Sequence, residues 1–247
     1  MKHVDRSILS VGALITLLKA DLAGYDGPVW FRGQGLSAWK LEPKLLRGAD
    51  KLSETHLINR FKQHASFLLD KPPRDDFDWL FLMQHYGMQT RLLDWSESPL
   101  VGLYFAVEQH HNHDAEGALW TLLPTDLNSK SNYRPAFKYE VPSFDDEYLK
   151  NYEPETIARE HKSRLYPVAA IARRNSSRMQ AQQGVFTISH RENIVVEDVG
   201  QEGAARDHVW RYLIPAHAKE EIKQDLRRLG FTRFHLFPEL DSISSVV

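Results

Sequence analysis

Residues 84–108 mix polar and apolar side chains in a way that neither a surface loop nor a plain core strand requires. In this segment, QHYGMQTRLLDWSESPLVGLYFAVE, the polar residues His85, Arg91 and Asp94 stand among apolar neighbours. Polar groups in apolar surroundings must find hydrogen-bond partners once they are buried. We therefore expect this segment either to lock the fold through internal hydrogen bonds or to line a site.

Arg32 is a second candidate for chemistry, because it ends the apolar run Val29–Phe31 and is followed at once by Gly33. A guanidinium at this place could hold a phosphate or carboxylate through paired hydrogen bonds. The glycine would let a ligand or another backbone approach closely. A buried ion pair with Asp94 is the alternative, since arginine is rarely buried without a partner.

His85, Tyr86 and Trp95 have side chains suited to catalysis or ring stacking. His85 could exchange a proton near neutral pH, and Tyr86 and Trp95 could stack on a flat ligand ring. Each also has a structural alternative, as a hydrogen-bonded histidine or as an aromatic residue of the core or the pocket wall.

Thr90–Ser96 carries polar residues on both sides of a Leu-Leu pair and leads into a helix that begins at Ser98-Pro99. Such strand-to-helix junctions offer free N–H groups to ligands. We predict Arg91 and Ser96 as ligand-binding residues and Arg32, His85 and Asp94 as catalytic residues. Ser96 could instead cap the helix, and Asp94 could instead orient one of the two arginines.

A second polar segment precedes the predicted strand 184–189. Its glutamines, Gln180 and Gln182 among them, could bind a base or an amide, or tie loops together. Upstream lies a basic cluster that could bind phosphates or nucleic acid or could form a solvated face: Lys162, Arg164, Arg173, Arg174 and Arg178.

The run 110–114, HHNHD, is the obvious candidate for a metal site, but its spacing fits no standard zinc pattern. We predict a solvated loop without a metal. The chain has no cysteine, which excludes disulfides and thiolate-bound zinc, and its net charge is −2. Nothing in this balance requires a nucleic-acid partner.

The predicted helices and strands that must position these residues indicate an α+β fold with a mixed or antiparallel sheet and flanking helices. We predict a single domain over residues 1–247 with an N-terminal amphipathic helix at 7–20, capped by Ser7. Its apolar run is too short to span a bilayer and lacks a signal-peptide cleavage pattern, so we expect a cytoplasmic protein without a membrane partner. Another strand is predicted at 231–237.

The chain resembles the FRG domain family. Phe31-Arg32-Gly33 corresponds to the motif after which that family is named, and the segments 84–87 and 90–96 follow in order. Further correspondences come later in the chain: Pro99, Phe105-Ala106, Arg178, Gln182, Gly184, Phe186-Thr187 and 237–241. This resemblance implies a domain over nearly the whole chain, but the family name records a sequence pattern rather than an activity.

A weaker, fold-level similarity to ADP-ribosyltransferases rests on the order of Arg32-Gly33, Ser96, Phe105-Ala106 and the predicted strand 118–123. It implies NAD as a substrate, with no bound cofactor. Arg32 or Arg91 would hold the pyrophosphate, and Tyr86 or Trp95 would flank nicotinamide. Those enzymes usually carry a catalytic glutamate near a late strand, where this chain has glutamines. Asp94, Glu97 or Glu239 would have to replace it, or the site binds without catalysing.

Two functional hypotheses follow. The first is an ADP-ribosyltransferase-like enzyme with a phosphate- or nucleotide-binding cleft, acting on NAD as a toxin or defence effector. The second is a non-catalytic module that binds a nucleotide or, through Arg173, Arg174 and Arg178, nucleic acid. A protein-interaction scaffold, in which the polar motif only locks the core, remains a third possibility.

Overall fold

The computed structural model describes residues 3–47, 53–108, 113–131, 133, 137, 139–160, 165–174, 176–192, 194–200 and 207–245. These described residues form the strands β1 Arg6–Ser7, β2 Trp30–Gln34, β3 Leu92–Ser96, β4 Gly117–Leu122, β5 Val168–Ala170, β6 Gly184–Ile188 and β7 Val209–Ile214. The helices are α1 Val11–Asp21, α2 Glu54–Ala65, α3 Asp76–His85, α4 Pro99–Val107, α5 Pro124–Lys130, α6 Pro154–Arg159, α7 Ser177–Ala181, α8 Ala216–Arg228 and α9 Arg233–Leu236. Short 3₁₀ turns cover Lys44–Leu46, Ser66–Leu68, Glu147–Tyr152, Val196–Asp198 and Leu240–Ser245.

The strands form one sheet in the order β1-β7-β4-β2-β3-β6-β5. β1 runs parallel to β7, and the other neighbouring pairs are antiparallel. The prediction of an α+β fold with a mixed sheet is therefore confirmed. No helix among the described residues is long and apolar enough to cross a membrane.

The sheet is weakly joined at its centre. β2 pairs with β4 along its whole length, and β3 pairs with β6 along its whole length. In contrast, the register between β2 and β3 consists of the single pair Phe31 and Ser96. The two halves of the sheet therefore separate beside Arg32 and Asp94.

Alternate residues of the strands enter different core clusters, as the two-residue period of a strand requires. Trp30 of β2, Leu93 of β3 and Val185 of β6 share one cluster on one face. On the opposite face, Phe31 joins a cluster with α1, α4 and α8, whereas Phe186 joins another that includes residues of α2 and α3. That face thus carries two separate cores, and their boundary coincides with the weak β2–β3 junction.

A close approach between strand and helix fixes the position of β2. A Cβ atom on Gly33 would lie 1.9 Å from the carbonyl oxygen of Gly102 and 2.4 Å from the amide nitrogen of Ala106. Only glycine can therefore occupy this place without moving α4. The glycine that follows Arg32 serves backbone packing against a helix rather than an approaching ligand.

Two local predictions are wrong at particular residues. The first helix begins at Val11, because Ser10 rather than Ser7 accepts the capping hydrogen bond, from the amide of Ala13, while Ser7 pairs with β7. The predicted strand at 231–237 is instead α9, whose N-cap Thr232 accepts from the amide of His235. A strong N-cap here overrides the apolar residues that suggested a strand.

Candidate functional site

A cavity of about 710 Å³ opens at the boundary between the two cores. Phe31 and Phe105 line it from one core, and Phe81 and Phe186 line it from the other. Seven of the predicted site residues also line it: Arg32, His85, Tyr86, Asp94, Trp95, Ser96 and Gln182. The separation of β2 from β3 thus brings residues distant in sequence to one concave surface.

Arg32 lines the cavity with a guanidinium that is only partly hydrogen-bonded. Its Nη1 donates a hydrogen bond of 2.5 Å to the carbonyl oxygen of Asp94, opposite the point where β2 and β3 stop pairing. Its Nε is buried and has no hydrogen-bond partner, and no described carboxylate forms an ion pair with it. Burial lowers the pKa of Arg32 more than the charge of Asp94 raises it, and Arg47 lowers it further. Arginine nevertheless stays protonated in proteins, so a half-buried cation with one unpaired N–H remains.

The Asp94 side chain does not neutralise that cation through a direct contact. Asp94 is exposed at the cavity, and its carboxylate forms no hydrogen bond or ion pair with any described residue. The ion pair between Arg32 and Asp94 considered from the sequence is thus replaced by a bond to the Asp94 carbonyl. The cavity therefore contains a guanidinium with an unpaired N–H and a carboxylate whose oxygens accept no hydrogen bond from the described residues.

Positive charge predominates around the cavity. Among its described lining residues, Lys71 and Arg178 have no ion-pair partner, whereas Arg74 binds Asp78. The guanidinium of Arg178 lies over the ring of Phe237, with 4.6 Å between its central carbon and the ring centroid. Cations that lack anionic partners at a concave surface favour an anionic ligand.

α3 delivers His85 and Tyr86 to the cavity, because the helix ends there and Gly87 follows with a φ of 79°. Tyr86 is 66% exposed, and its ring meets the ring of His85 edge-on at a centroid distance of 4.9 Å. His85 Nε2 lies 3.6 Å from Oε1 of Glu239, the residue directly before the 3₁₀ turn Leu240–Ser245. An exposed aromatic ring and an imidazole thus stand side by side at the cavity.

Three other predicted site residues make internal hydrogen bonds. Trp95 is buried, and its Nε1 donates to Thr187 Oγ1 at 3.1 Å. Ser96 Oγ donates to the carbonyl oxygen of Gln182 at 2.7 Å and accepts from the amide of Ser98. Gln182 Nε2 donates to the carbonyl oxygen of Leu236. These residues form part of the cavity wall while also tying it together.

The structure does not bring Arg91 or Gln180 to the cavity lining. Arg91 is 3% exposed and binds the carboxylate of Glu54 at 2.7 Å, and it also donates to the carbonyl oxygens of Ser189 and Tyr152. These contacts describe a buried structural arginine. Gln180 is exposed on α7 and does not belong to the cavity lining.

The basic cluster is dispersed in the structure. Arg173 pairs with Asp145 and Arg174 with Glu97, while Arg178 turns into the cavity. Lys162 and Arg164 lie outside the described residues, as do residues 110–112 of the histidine run. Within that run, His113 is described and lies near Asp114 and Glu220.

Sequence reasoning missed one wall of the cavity. Leu69, Lys71, Pro72 and Pro73 line it, and none of them is among the predicted site residues. Consecutive prolines favour an extended chain that can run along a surface. The two prolines therefore indicated an extended segment, but they did not indicate which surface of the protein this segment follows.

The comparison with protein families supports the resemblance seen in the motifs. Residues 27–115 match the FRG domain model. The chain carries an FRG domain. No curated protein and no solved structure matches the chain significantly. The match to the FRG domain includes β2, β3 and α4, which hold Arg32, Asp94 and Gly102, whereas Arg178, Gln182 and Glu239 lie beyond it.

Proposed function

We propose that the cavity binds a phosphate-bearing nucleotide through Arg32. The observation that carries this proposal is the half-buried guanidinium of Arg32, which lines the cavity and forms no ion pair with any described carboxylate, while the lining cations outnumber the lining anions. A phosphate oxygen that contacts the exposed part of this guanidinium would gain a charge-assisted hydrogen bond.

The size and the walls of the cavity suit a nucleotide. Its volume of about 710 Å³ lies within the range of small-molecule sites. Tyr86 exposes most of its ring at the cavity, and such a ring can stack on a base or a nicotinamide. The proposed ligand thus places its phosphates toward Arg32 and a flat ring against the aromatic wall.

NAD is the nucleotide we propose, with cleavage of its bond between ribose and nicotinamide as the reaction. Cleavage of this bond develops an oxocarbenium-like centre that a carboxylate stabilises. Asp94 has a free carboxylate in the same cavity as Arg32, so it is our candidate for the acid that the glutamines of 180–183 cannot supply. A role as a toxin or defence effector would follow from ADP-ribosylation of a cellular target.

Binding of nucleic acid is the less favoured candidate. It relies on Arg173, Arg174 and Arg178, but the first two are paired with carboxylates. Neutralising these arginines would weaken a salt-dependent interaction with nucleic acid. The same change at Arg173 and Arg174 should leave binding of a nucleotide in the cavity unaffected.

The test compares the wild type, Arg32→Gln and Arg60→Gln by calorimetric titration with NAD and ADP-ribose. Arg60 is the matched control, because it lies exposed on α2 and outside the cavity lining. We expect Arg32→Gln to weaken binding at least about tenfold, the equivalent of one lost charge-assisted hydrogen bond, and Arg60→Gln to have no effect. Release of nicotinamide, measured by mass spectrometry in the same samples, tests the reaction.

Equal affinity in Arg32→Gln and the wild type would refute the binding role of Arg32. Binding without nicotinamide release would refute the enzyme and retain the nucleotide site. No binding of either nucleotide, together with salt-dependent binding of an oligonucleotide, would favour the nucleic-acid module. Thermal unfolding of each variant ensures that a lost signal does not reflect a lost fold.

A further inference from the structure

The residue directly before the 3₁₀ turn Leu240–Ser245 brings a carboxylate to the histidine of the cavity. The amide of Glu239 donates to the carbonyl oxygen of Phe237 at 2.8 Å, and the carbonyl oxygen of Glu239 accepts from the amide of Ser242 at 3.0 Å. The backbone thus fixes this residue on both sides. Its Oε1 reaches 3.6 Å from Nε2 of His85.

Oε1 of Glu239 is in an unusual state, because it is buried and accepts no hydrogen bond. A buried carboxylate oxygen normally has a donor. Nε2 of His85 lies 3.6 Å from this oxygen, slightly beyond hydrogen-bond distance. Hydrogen bonds of catalytic groups are often long without a ligand and shorten when one is bound.

We propose that Glu239 is a positioning residue that holds His85 as the proton acceptor of the cavity. When Nε2–H points toward Glu239, the neutral ring must leave Nδ1 without a proton. Nδ1 can then take a proton from a nucleophile, as the imidazole does in carboxylate–histidine pairs of hydrolases. This inference rests on the proposed function for its reaction, but not for the contact between the two side chains.

The step in NAD cleavage balances. The oxygen of water or of a target hydroxyl forms a bond to C1′ of the ribose while the C1′–N bond breaks. Its electron pair leaves with nicotinamide, which becomes neutral, and the proton of the nucleophile moves to Nδ1 of His85. The positive charge of the nicotinamide ring thus ends on the imidazole, where Glu239 faces it and stabilises it electrostatically.

The chain offers a matched control pair. His113 Nε2 lies 3.7 Å from Oε2 of Glu220, nearly the distance of the pair in the cavity, but both side chains are about half exposed. An exposed pair has little influence on its imidazole, because solvent screens the charge. Glu220→Gln therefore removes the same kind of contact away from the cavity lining.

The test measures the tautomers of His85 by ¹⁵N NMR in the ligand-free protein at a pH where the ring is neutral. The chain has 12 histidines, so the signals of His85 are assigned by their absence in His85→Gln. We expect mainly the Nε2–H tautomer in the wild type. Glu239→Gln can offer the ring either an amide oxygen or an amide N–H, and should therefore shift the tautomer ratio about three- to tenfold, the equivalent of one hydrogen bond. Glu239→Ala should shift it in the same direction, and Glu220→Gln should not.

A tautomer ratio that stays unchanged in both Glu239 variants overturns the inference. With NAD, we expect His85→Gln to lower the kcat of nicotinamide release by about a hundredfold or more at an unchanged Kd. A normal kcat in that variant overturns the role of His85 as the base. Absent NAD turnover would refute the proposed reaction alone, because the tautomer measurement needs no ligand.

Discussion

Replacing Gly33 by alanine tests whether the contact between β2 and α4 fixes the two halves of the sheet. The new Cβ would lie 1.9 Å from the carbonyl oxygen of Gly102 and 2.4 Å from the amide nitrogen of Ala106. A normal contact would require a shift of more than about 1 Å, and both opposing atoms belong to helix backbone rather than to flexible side chains. Overpacking of a core costs about 1–3 kcal/mol, occasionally more, and the rigid partners place this variant at about 3 kcal/mol.

For a chain of this length, about 3 kcal/mol corresponds to a fall in Tm of about 6–12 °C. Thermal unfolding followed by circular dichroism measures it, with urea unfolding to obtain the change in free energy. Gly12→Ala is the matched control, because Gly12 is exposed on α1 and has no neighbour atom closer than 3.9 Å to the added Cβ. The better helix propensity of alanine should stabilise that variant by about 0.5–1 kcal/mol. A Tm for Gly33→Ala within about 2 °C of the wild type would show that α4 can yield, and would refute the reasoning.

Two further predictions concern buried charge. Arg91→Met should lower the free energy of unfolding, measured in urea titrations, by about 3–5 kcal/mol, because it leaves the carboxylate of Glu54 buried without its partner. The double variant with Glu54→Gln should recover part of that loss. A double variant that recovers nothing would contradict the explanation by an ion pair. His190 provides a pH-dependent test, because burial, aided by Arg91 and Arg191, lowers its pKa to about 4. The unfolded chain takes up this proton near pH 6.5, before the folded protein does, so stability should be lost as the pH falls from about 6.5 to about 4, by up to about 3 kcal/mol. His190→Gln should show a correspondingly smaller loss over that range, and parallel curves for the two proteins would exclude His190 as the cause.

Local signals in the sequence predicted several of the elements. Ser98-Pro99 indicated the start of α4, and the side chain of Ser98 does cap that helix at the amide of Val101. The strands predicted at 118–123 and 184–189 are β4 and β6, each within one residue of the predicted bounds. The strand predicted at 231–237 failed because its apolar residues were weighed above the capping signal of Thr232. An element was thus predictable from the sequence where either its helix cap or its apolar pattern was the clearly stronger signal.

The candidate site was less predictable, because its residues are distinguished by tertiary partners. Arg32 and Arg91 both stand beside apolar residues in the sequence, and both could have bound an anion. Glu54, which lies in another helix, neutralises Arg91 in the core. No described carboxylate does so for Arg32. No local pattern can show which arginine acquires an ion-pair partner, since that partner comes from a different part of the chain.

The positions of Gly33 and Arg32 are both connected with the place where β2 and β3 stop pairing. Gly33 lets β2 lie directly against α4, and the register of β2 with β3 ends after one residue pair. We infer that the contact with α4 draws β2 away from β3, since a strand cannot follow both partners where their positions diverge. Where β2 and β3 separate, the carbonyl oxygen of Asp94 accepts a hydrogen bond from the guanidinium of Arg32. Gly33 thus allows the separation of β2 from β3, and Arg32 places its guanidinium where the strands separate. A substitution at either position should therefore impair the cavity, but by a different route. Gly33→Ala should displace the backbone, whereas Arg32→Gln should remove a charge and leave the fold intact.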